Sequence, residues 1–239
     1  MLILSLGVLL CSSALAQGRQ SLADLQPMKI NQTVNAVFPR NLADAGVTRG
    51  ACQVAIYVDA SGKLAEWLVV KYTAREFGAA AVAALQSWTY EPARVDGVPV
   101  GSTLDLVFSY EAQGVVVSMT NLSQIVDLMV MQMRTTDRYV YQPCSGDELD
   151  RVPVATVTVK PQYPRSLAEK GVRGRVTVEY YIDETGAVRM PCVSVEDNPI
   201  LASLTIAAVS QWKFEPPTSH GRPVLIKATQ EFNFKGDNS

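Results

Sequence analysis

The sequence carries one residue pattern twice, and this repeat constrains the fold more than any other feature. Phe38-Pro39-Arg40 recurs as Tyr163-Pro164-Arg165, 125 residues further along the chain. The later matches keep the same order: Gly46 and Gly171, Asp59 and Asp183, Gly62 and Gly186, Trp88 and Trp212, Glu91-Pro92 and Glu215-Pro216, Gly97 and Gly221, Pro99-Val100 and Pro223-Val224, Phe108 and Phe232. Such matches at glycine, proline, tryptophan and apolar positions indicate one backbone built twice, rather than one catalytic site copied.

Hydrophobic periodicity predicts the same order of elements in both copies: a short helix, two strands, a longer helix and a final strand. In the second copy the predicted ranges are 165–170, 176–182, 187–195, 199–212 and 224–234, after a short leading strand at 155–159. In the first copy they are 40–45, 51–58, 64–72, 76–88 and 103–110. The fold class that follows is α+β: two tandem small two-layer domains, each a three-stranded antiparallel sheet with two helices on one face.

The sequence divides into four predicted regions. Residues 1–16 form a signal peptide, because an apolar run is followed by Ala14-Leu15-Ala16, a signal-peptidase pattern before Gln17. An uncleaved N-terminal anchor in the inner membrane is the alternative. The first domain covers 24–112, a helical linker 113–150 and the second domain 151–236. The linker contains an amphipathic, methionine-rich stretch, which favours either packing onto a domain or a partner-binding helix.

Composition excludes several classes of function. The net charge is −2 and 18% of the 239 residues are charged, which argues against binding nucleic acid through a broad basic surface. His220 is the only histidine, so a His-rich metal site or a catalytic triad in each copy is ruled out. The repeated acids Asp59 and Asp183 lie in predicted turns, where a turn cap explains them better than acid–base catalysis. We therefore expect no enzyme and no cofactor.

Three cysteines remain after cleavage at Gln17. Cys52 lies on the apolar face of a predicted strand and is expected to be buried as a small hydrophobe. An exported protein meets oxidising conditions, which makes Cys144 and Cys192 the candidates for a disulfide.

Several motifs of the second copy resemble the C-terminal domain of TonB, the periplasmic energy transducer of Gram-negative bacteria. They are Lys160-Pro161-Gln162-Tyr163-Pro164, Gly171 with Gly174, Ile182-Asp183 with Gly186, Trp212 with Phe214-Glu215-Pro216, and Gly221 with Pro223-Val224. The first copy has a slightly weaker set: Phe38-Pro39, Val58-Asp59 with Gly62, Trp88 with Tyr90-Glu91-Pro92, and Gly97 with Pro99-Val100. Each motif alone is weak, but their order, repeated twice, indicates the family.

The resemblance implies a non-catalytic periplasmic module for transport across the outer membrane. Such a module grips the TonB box, an extended peptide of an outer-membrane receptor, as an added strand at its sheet edge. Carried over to this chain, the partner-binding residues are Gln162, Tyr163, Pro164, Arg165, Ile226, Ala228, Gln230, Phe232 and Phe234. The first copy has Val37 in place of Gln162, so the resemblance supports its receptor contact less well.

Other readings remain beside strand addition. A complete TonB has a membrane helix and a long proline-rich spacer, whereas residues 17–37 contain a single proline, Pro27. A structural protein whose two copies satisfy each other's sheet edges, or pair between chains in a homodimer, is one alternative. An accessory domain that positions a substrate for a periplasmic enzyme is another.

Overall fold

The computed structural model describes residues 25–112, 114–119, 139–169 and 171–235. The described chain divides into two compact units, one ending at Gln142 and the other beginning at Pro143. Each unit is described by itself below.

The first unit is built from nine strands and two helices among its described residues. In chain order they are β1 (Leu25–Gln26), β2 (Lys29–Gln32), α1 (Arg40–Asp44), β3 (Arg49–Val58), β4 (Leu64–Tyr72), α2 (Arg75–Leu85), β5 (Thr89–Glu91), β6 (Ala93–Val95), β7 (Val98–Val100), β8 (Ser102–Glu111) and β9 (Gly114–Met119). The main sheet has the order β4-β3-β8-β9 with antiparallel neighbours. Alternating residues of β8 are buried, as expected for a strand covered on one face, whereas β3 inside the sheet is buried over consecutive residues.

The core of the first unit lies between this sheet and α2. Phe77 of α2 is fully buried, and its ring lies 4.6 Å from that of Tyr110 on β8. The main-chain oxygen of Phe77 accepts hydrogen bonds from the Tyr110 hydroxyl and the Cys52 thiol. Cys52 is therefore buried, as predicted, and burial raises the pKa of its thiol to about 12.

The second unit repeats the plan with fewer strands. Its elements are β10 (Ala155–Val157), α3 (Arg165–Glu169), β11 (Gly174–Ile182), β12 (Val188–Glu196), α4 (Pro199–Val209), β13 (Lys213–Phe214), β14 (Thr218–Ser219), β15 (Arg222–Pro223) and β16 (Ile226–Phe234). The main sheet has the order β12-β11-β16, again antiparallel. Asn198 caps α4, because its side chain accepts the Ile200 and Leu201 N–H groups.

Matched contacts confirm that one backbone is used twice. The indole N–H of Trp88 donates to Val34 O, and that of Trp212 donates to Val159 O, each at 2.8 Å. Each tryptophan thus binds the segment that precedes the first helix of its unit. Asp59 and Asp183 cap their hairpin turns by accepting main-chain N–H groups two and four residues ahead, as predicted.

The predicted fold class is confirmed: both units are α+β, with small antiparallel sheets and helices. The sheet of the first unit nevertheless has a fourth strand, β9, within the segment predicted to be a helical linker. The predicted linker helix around residues 122–133 lies outside the described residues, and so does the predicted signal peptide.

The structure does not join Cys144 and Cys192 in the expected disulfide. Cys192 lies on β12, where it pairs with Glu179 of β11. Cys144 bridges Ile226 on the opposite side of the sheet, beyond β16. Three strand spacings of about 4.8 Å separate the two positions across the sheet, so their Cα atoms are at least roughly 14 Å apart, beyond disulfide reach. An oxidising compartment favours disulfides in general, but the position of each cysteine in the sheet depends on strand order, which the sequence does not show.

Candidate strand-binding edge

β16 is one of the two edge strands of the main sheet in the second unit, and no strand of the described residues pairs with the outer side of its residues beyond Lys227. Hydrogen bonds of β11 show which main-chain groups lie on that outer side: Arg175 O and Thr177 O accept from Asp197 N and Ser194 Oγ, both on the β12 side. Main-chain groups alternate in direction along a strand, so even-numbered residues of β11 bond to β16. The register pairs even residues with even residues, as in Val178 with Gln230.

Odd-numbered residues of β16 therefore direct their N–H and C=O groups outward. The same parity appears independently at the start of the strand, where Leu225 O accepts from Cys144 N on the outer side at 2.7 Å. Thr229, Glu231 and Asn233 are the outward residues beyond that point. Within the described ranges, no strand pairs with them.

Cys144 and Tyr163 mark the two ends of this outer edge. Cys144 forms a parallel bridge with Ile226, which covers the first position of β16. At the other end the Tyr163 ring lies 5.7 Å from the Phe234 ring, and its hydroxyl donates to Val172 O. Between them, eight residues from Lys227 to Phe234 span about 26 Å of extended strand, which is enough for a short peptide.

Half-exposed aromatic side chains line one face of the edge. The Phe232 ring lies 5.6 Å from Trp212, and Phe234 packs beside Tyr163. Phe232 and Phe234 are only partly buried, and Gln230 between the bonded positions is exposed. The amide of Gln230 donates to the outward Glu231 O at 2.9 Å, so one acceptor of the edge is covered locally by the chain's own side chain.

The equivalent strand of the first unit, β8, carries β9 along the same side. Hydrogen bonds from Thr73 N to Ala51 O and from Ala112 N to Thr48 O place the even residues of β8 toward β3. Odd residues of β8 thus face β9, which pairs from Leu106–Met119 to Glu111–Gly114. Repeat alignment matches Val107 to Glu231 and Ser109 to Asn233, so β9 occupies the edge that is open on β16.

Residues 148–150, which precede β10, hold the loop that leads into β16. Asp150 accepts the His220 and Gly221 N–H groups at 2.8 and 2.9 Å, and Ser219 Oγ donates to Glu148 O. These bonds hold the turn between β14 and β15, where His220 and Gly221 both have positive φ. The Gly221 N–H and then the Thr218 hydroxyl lower the pKa of the Asp150 carboxyl.

Charged side chains lie on the helix-free face of the sheet. Lys227 Nζ pairs with Glu179 Oε2 at 2.6 Å, and Asn233 Nδ2 donates to Glu231 Oε1 at 2.9 Å. Both contacts join neighbours on the solvent side, so this face is mixed in charge and polar. A peptide added to the edge therefore meets a polar face on one side and the aromatic face on the other.

The predicted partner-binding residues fall into one connected region. Ile226, Ala228, Gln230, Phe232 and Phe234 share the inner face of β16, and Tyr163 joins them through Phe234. Gln162, Pro164 and Arg165 are exposed around Tyr163. Their main-chain direction was not predictable from the sequence: the even residues bond to β11, and the outward partners are Thr229, Glu231 and Asn233.

Two parts of this region were missed by sequence analysis. The Cys144 bridge left no signal, because a single residue pairing carries no periodicity. β9 did leave one, since Val115-Val116-Val117 is a β-branched run directly after the predicted last strand. That run was assigned to the helical linker because the longer apolar stripe that follows dominated the segment.

The described residues contain neither a group of metal-ligating side chains nor a helix suited to cross a membrane. No cluster of three metal-ligating side chains occurs among them. None of the helices in the described ranges combines the length and apolar character that a membrane crossing needs.

Comparison with known proteins gives matches to TonB. The family model of the Gram-negative bacterial TonB protein C-terminal region matches residues 34–112 and 159–235. Protein TonB of Vibrio cholerae serotype O1 is 28% identical over 88 residues, which are 36% of this chain and 36% of that protein. A solution NMR structure of the Pseudomonas aeruginosa TonB CTD is 28% identical, covers 38% of this chain and 92% of that chain, and has a TM-score of 0.33.

This chain spans about a third of the length of the curated relative that it matches. The family model, in contrast, matches both copies of the repeat and together most of the chain. The chain therefore belongs to the family of Gram-negative bacterial TonB protein C-terminal domains.

Proposed function

We propose that the second unit binds an extended segment of a protein partner as an added strand on β16, in the periplasm and in support of transport across the outer membrane. The observation that carries this proposal is the matched pair of edges. β8 carries a fourth strand, and β16 presents the same main-chain geometry without one in the described residues. An edge with outward N–H and C=O groups favours pairing with another extended segment.

The proposed partner segment has a stated chemistry. It is extended, and its side chains alternate between the polar sheet face and the aromatic face formed by Phe232, Phe234 and Trp212. Apolar residues at every second position would cover these half-exposed rings, while the main chain bonds to Glu231 and Asn233. Family membership supports the TonB box of a TonB-dependent outer-membrane receptor as that segment.

The experiment is a titration of the full chain with synthetic TonB-box peptides from Gram-negative receptors. Amide hydrogen exchange and chemical shifts are read by NMR at Glu231 and Asn233. We expect these amides to become protected on binding. Glu231→Pro removes an outward N–H and should weaken binding at least about tenfold, which corresponds to ~1.4 kcal/mol. Glu231→Ala is the matched control, because it changes the same side chain and keeps the N–H.

The result that contradicts the proposal is peptide binding that is equal in wild type, Glu231→Pro and Glu231→Ala. Thr229→Pro provides a second outward position, whereas Gln230→Pro would remove a bond to β11 and report on folding instead. Protection of Glu231 and Asn233 that needs no peptide and rises with protein concentration would favour the homodimer, in which β16 edges pair between chains.

A further inference from the structure

The first unit presents an edge of the same type, and its occupant is visible. β9 lies antiparallel along β8 and pairs with six consecutive residues of it. Only Ala112 and Gln113 separate the two strands in sequence. The Val107 and Ser109 positions, which bond outward to β9, are the repeat equivalents of Glu231 and Asn233.

We propose that the β8 edge is a second strand-binding site, closed by β9 as a resident strand that an extended peptide of the same sequence can replace. The proposal rests on the proposed function in treating β8 and β16 as edges of one kind. It assigns the β9 segment itself as the occupant. Its uncharged, β-branched run from Val115 to Val117 defines the class of peptide that fits.

The two-residue connection explains why the site is closed in the intact chain. A strand tethered so closely competes at an effective concentration of about millimolar or more. A free peptide with a Kd of about 0.1 mM would then bind at least about tenfold more weakly to the intact chain than to one whose β9 is disabled. The tether therefore closes the β8 edge, whereas the matched edge of β16 stays open in the described residues.

Because main-chain groups alternate in direction along β9, proline at two neighbouring residues gives a matched pair of variants. Because odd residues of β8 face β9, their partners Ser118, Val116 and Gly114 direct their N–H groups to β8. Val116→Pro removes one of these bonds and obstructs pairing at Ser109. Val117→Pro places the same ring where the N–H points away from β8, a position that edge strands tolerate.

The test uses the full chain and a synthetic peptide with the sequence of residues 112–121. Exchange of the Val107 and Ser109 amides reports on the β8 edge, and exchange of Glu231 and Asn233 reports separately on β16. In wild type and Val117→Pro we expect Val107 and Ser109 to be protected without peptide. In Val116→Pro they should exchange freely, and peptide should restore their protection with at least about tenfold tighter binding than in wild type.

Two results overturn the proposal. The first is Val107 and Ser109 amides that exchange in Val116→Pro and gain no protection at saturating peptide. The second is loss of protection in the β3 amides Val54 and Ile56, which would make β9 an obligatory part of the core. A second variant, with residues 115–118 replaced by Gly-Ser-Gly-Ser, repeats the test without proline. Binding at Glu231 and Asn233 is scored independently, so failure at β16 does not decide the outcome at β8.

Discussion

The two units share a backbone plan but differ in one strand, and this difference changes the environment of the final long strand. In the first unit β8 has neighbours on both sides, and Leu106, Phe108 and Tyr110 are at most 1% exposed. In the second unit β16 has one strand neighbour, and its equivalent residues Gln230, Phe232 and Phe234 are exposed or half-buried. A duplicated sequence has thus produced one interior strand and one edge strand.

The substitutions between the copies agree with this division. Leu106, which is fully buried on β8, corresponds to the exposed Gln230 on β16. A polar residue suits a position open to water, and its amide covers an outward carbonyl that would otherwise invite pairing. Unequal burial at equivalent positions therefore separates a strand inside a sheet, β8, from a strand at the edge of one, β16.

The largest expected effect comes from truncating the two matched tryptophans. Trp88 is 6% exposed and packs on Phe108, whereas Trp212 is partly buried beside the open edge. Trp88→Ala should lower the free energy of unfolding of the first unit by roughly 3–5 kcal/mol. Trp212→Ala should cost the second unit less, since less surface is buried. Urea unfolding followed by NMR signals of each unit measures both; equal losses would contradict the unequal burial.

The next prediction compares proline at matched outward positions. Val107→Pro removes an N–H that bonds to β9, so the first unit should lose about 1–3 kcal/mol of stability. Glu231→Pro removes an N–H that faces outward on β16 and should change the stability of the second unit by less than ~1 kcal/mol. Thermal unfolding of the two variants provides the comparison. A larger loss for Glu231→Pro than for Val107→Pro would mean that β16 is not an edge.

Thiol labelling tests the placement of the cysteines. Cys52 is fully buried with a pKa raised to about 12, so it should stay unmodified by iodoacetamide at pH 8 in the folded chain. Cys144 and Cys192 are partly exposed and should be alkylated, with Cys144 slowed because burial raises its pKa. Peptide mapping after labelling, with a urea-unfolded sample as control, assigns each site. If both Cys144 and Cys192 resist alkylation under non-reducing conditions and react after a reductant is added, the predicted disulfide between them is present.

The smallest expected effect is a change in the Asp150 hydrogen bonds at acid pH. Hydrogen bonds from the turn lower the pKa of Asp150 in the folded state. The contribution of Asp150 to stability is therefore complete above the carboxyl pKa of the unfolded chain, about 3.9. That contribution is lost as pH falls through the depressed folded value. Below about pH 4 the His220 and Gly221 amide signals should therefore shift, and Asp150→Asn should remove the shift. A titration of these signals near neutral pH would contradict the assignment.

Much of the fold was predictable because the repeat supplied two independent readings of each element. Strands β3, β4, β11 and β12 and both long helices lie where the hydrophobic period placed them. Their ends shifted by a few residues: α4 ends at Val209 rather than at Trp212, since Trp212 is needed to reach Val159 O. Turn caps at Asp59 and Asp183 followed from local chemistry alone.

The site was predictable only in part, for a physical reason. Periodicity assigns side chains to faces, and it correctly grouped Phe232 and Phe234 on the inner face of β16. Strand order, and thus which strand is an edge, depends on contacts between distant segments such as Ile226 with Cys144. The direction of each N–H depends in turn on those contacts, so neither Glu231 nor the role of β9 could be assigned from the sequence.

Amide hydrogen exchange at the four matched outward positions tests the central claim most directly. The account predicts that, in the unliganded full chain, Val107 and Ser109 are protected by β9, whereas Glu231 and Asn233 exchange as edge amides do. The expected difference is large, because ladder amides of a folded unit exchange only through opening. Equal protection at the two pairs of positions would contradict the division into a closed edge on β8 and an open edge on β16.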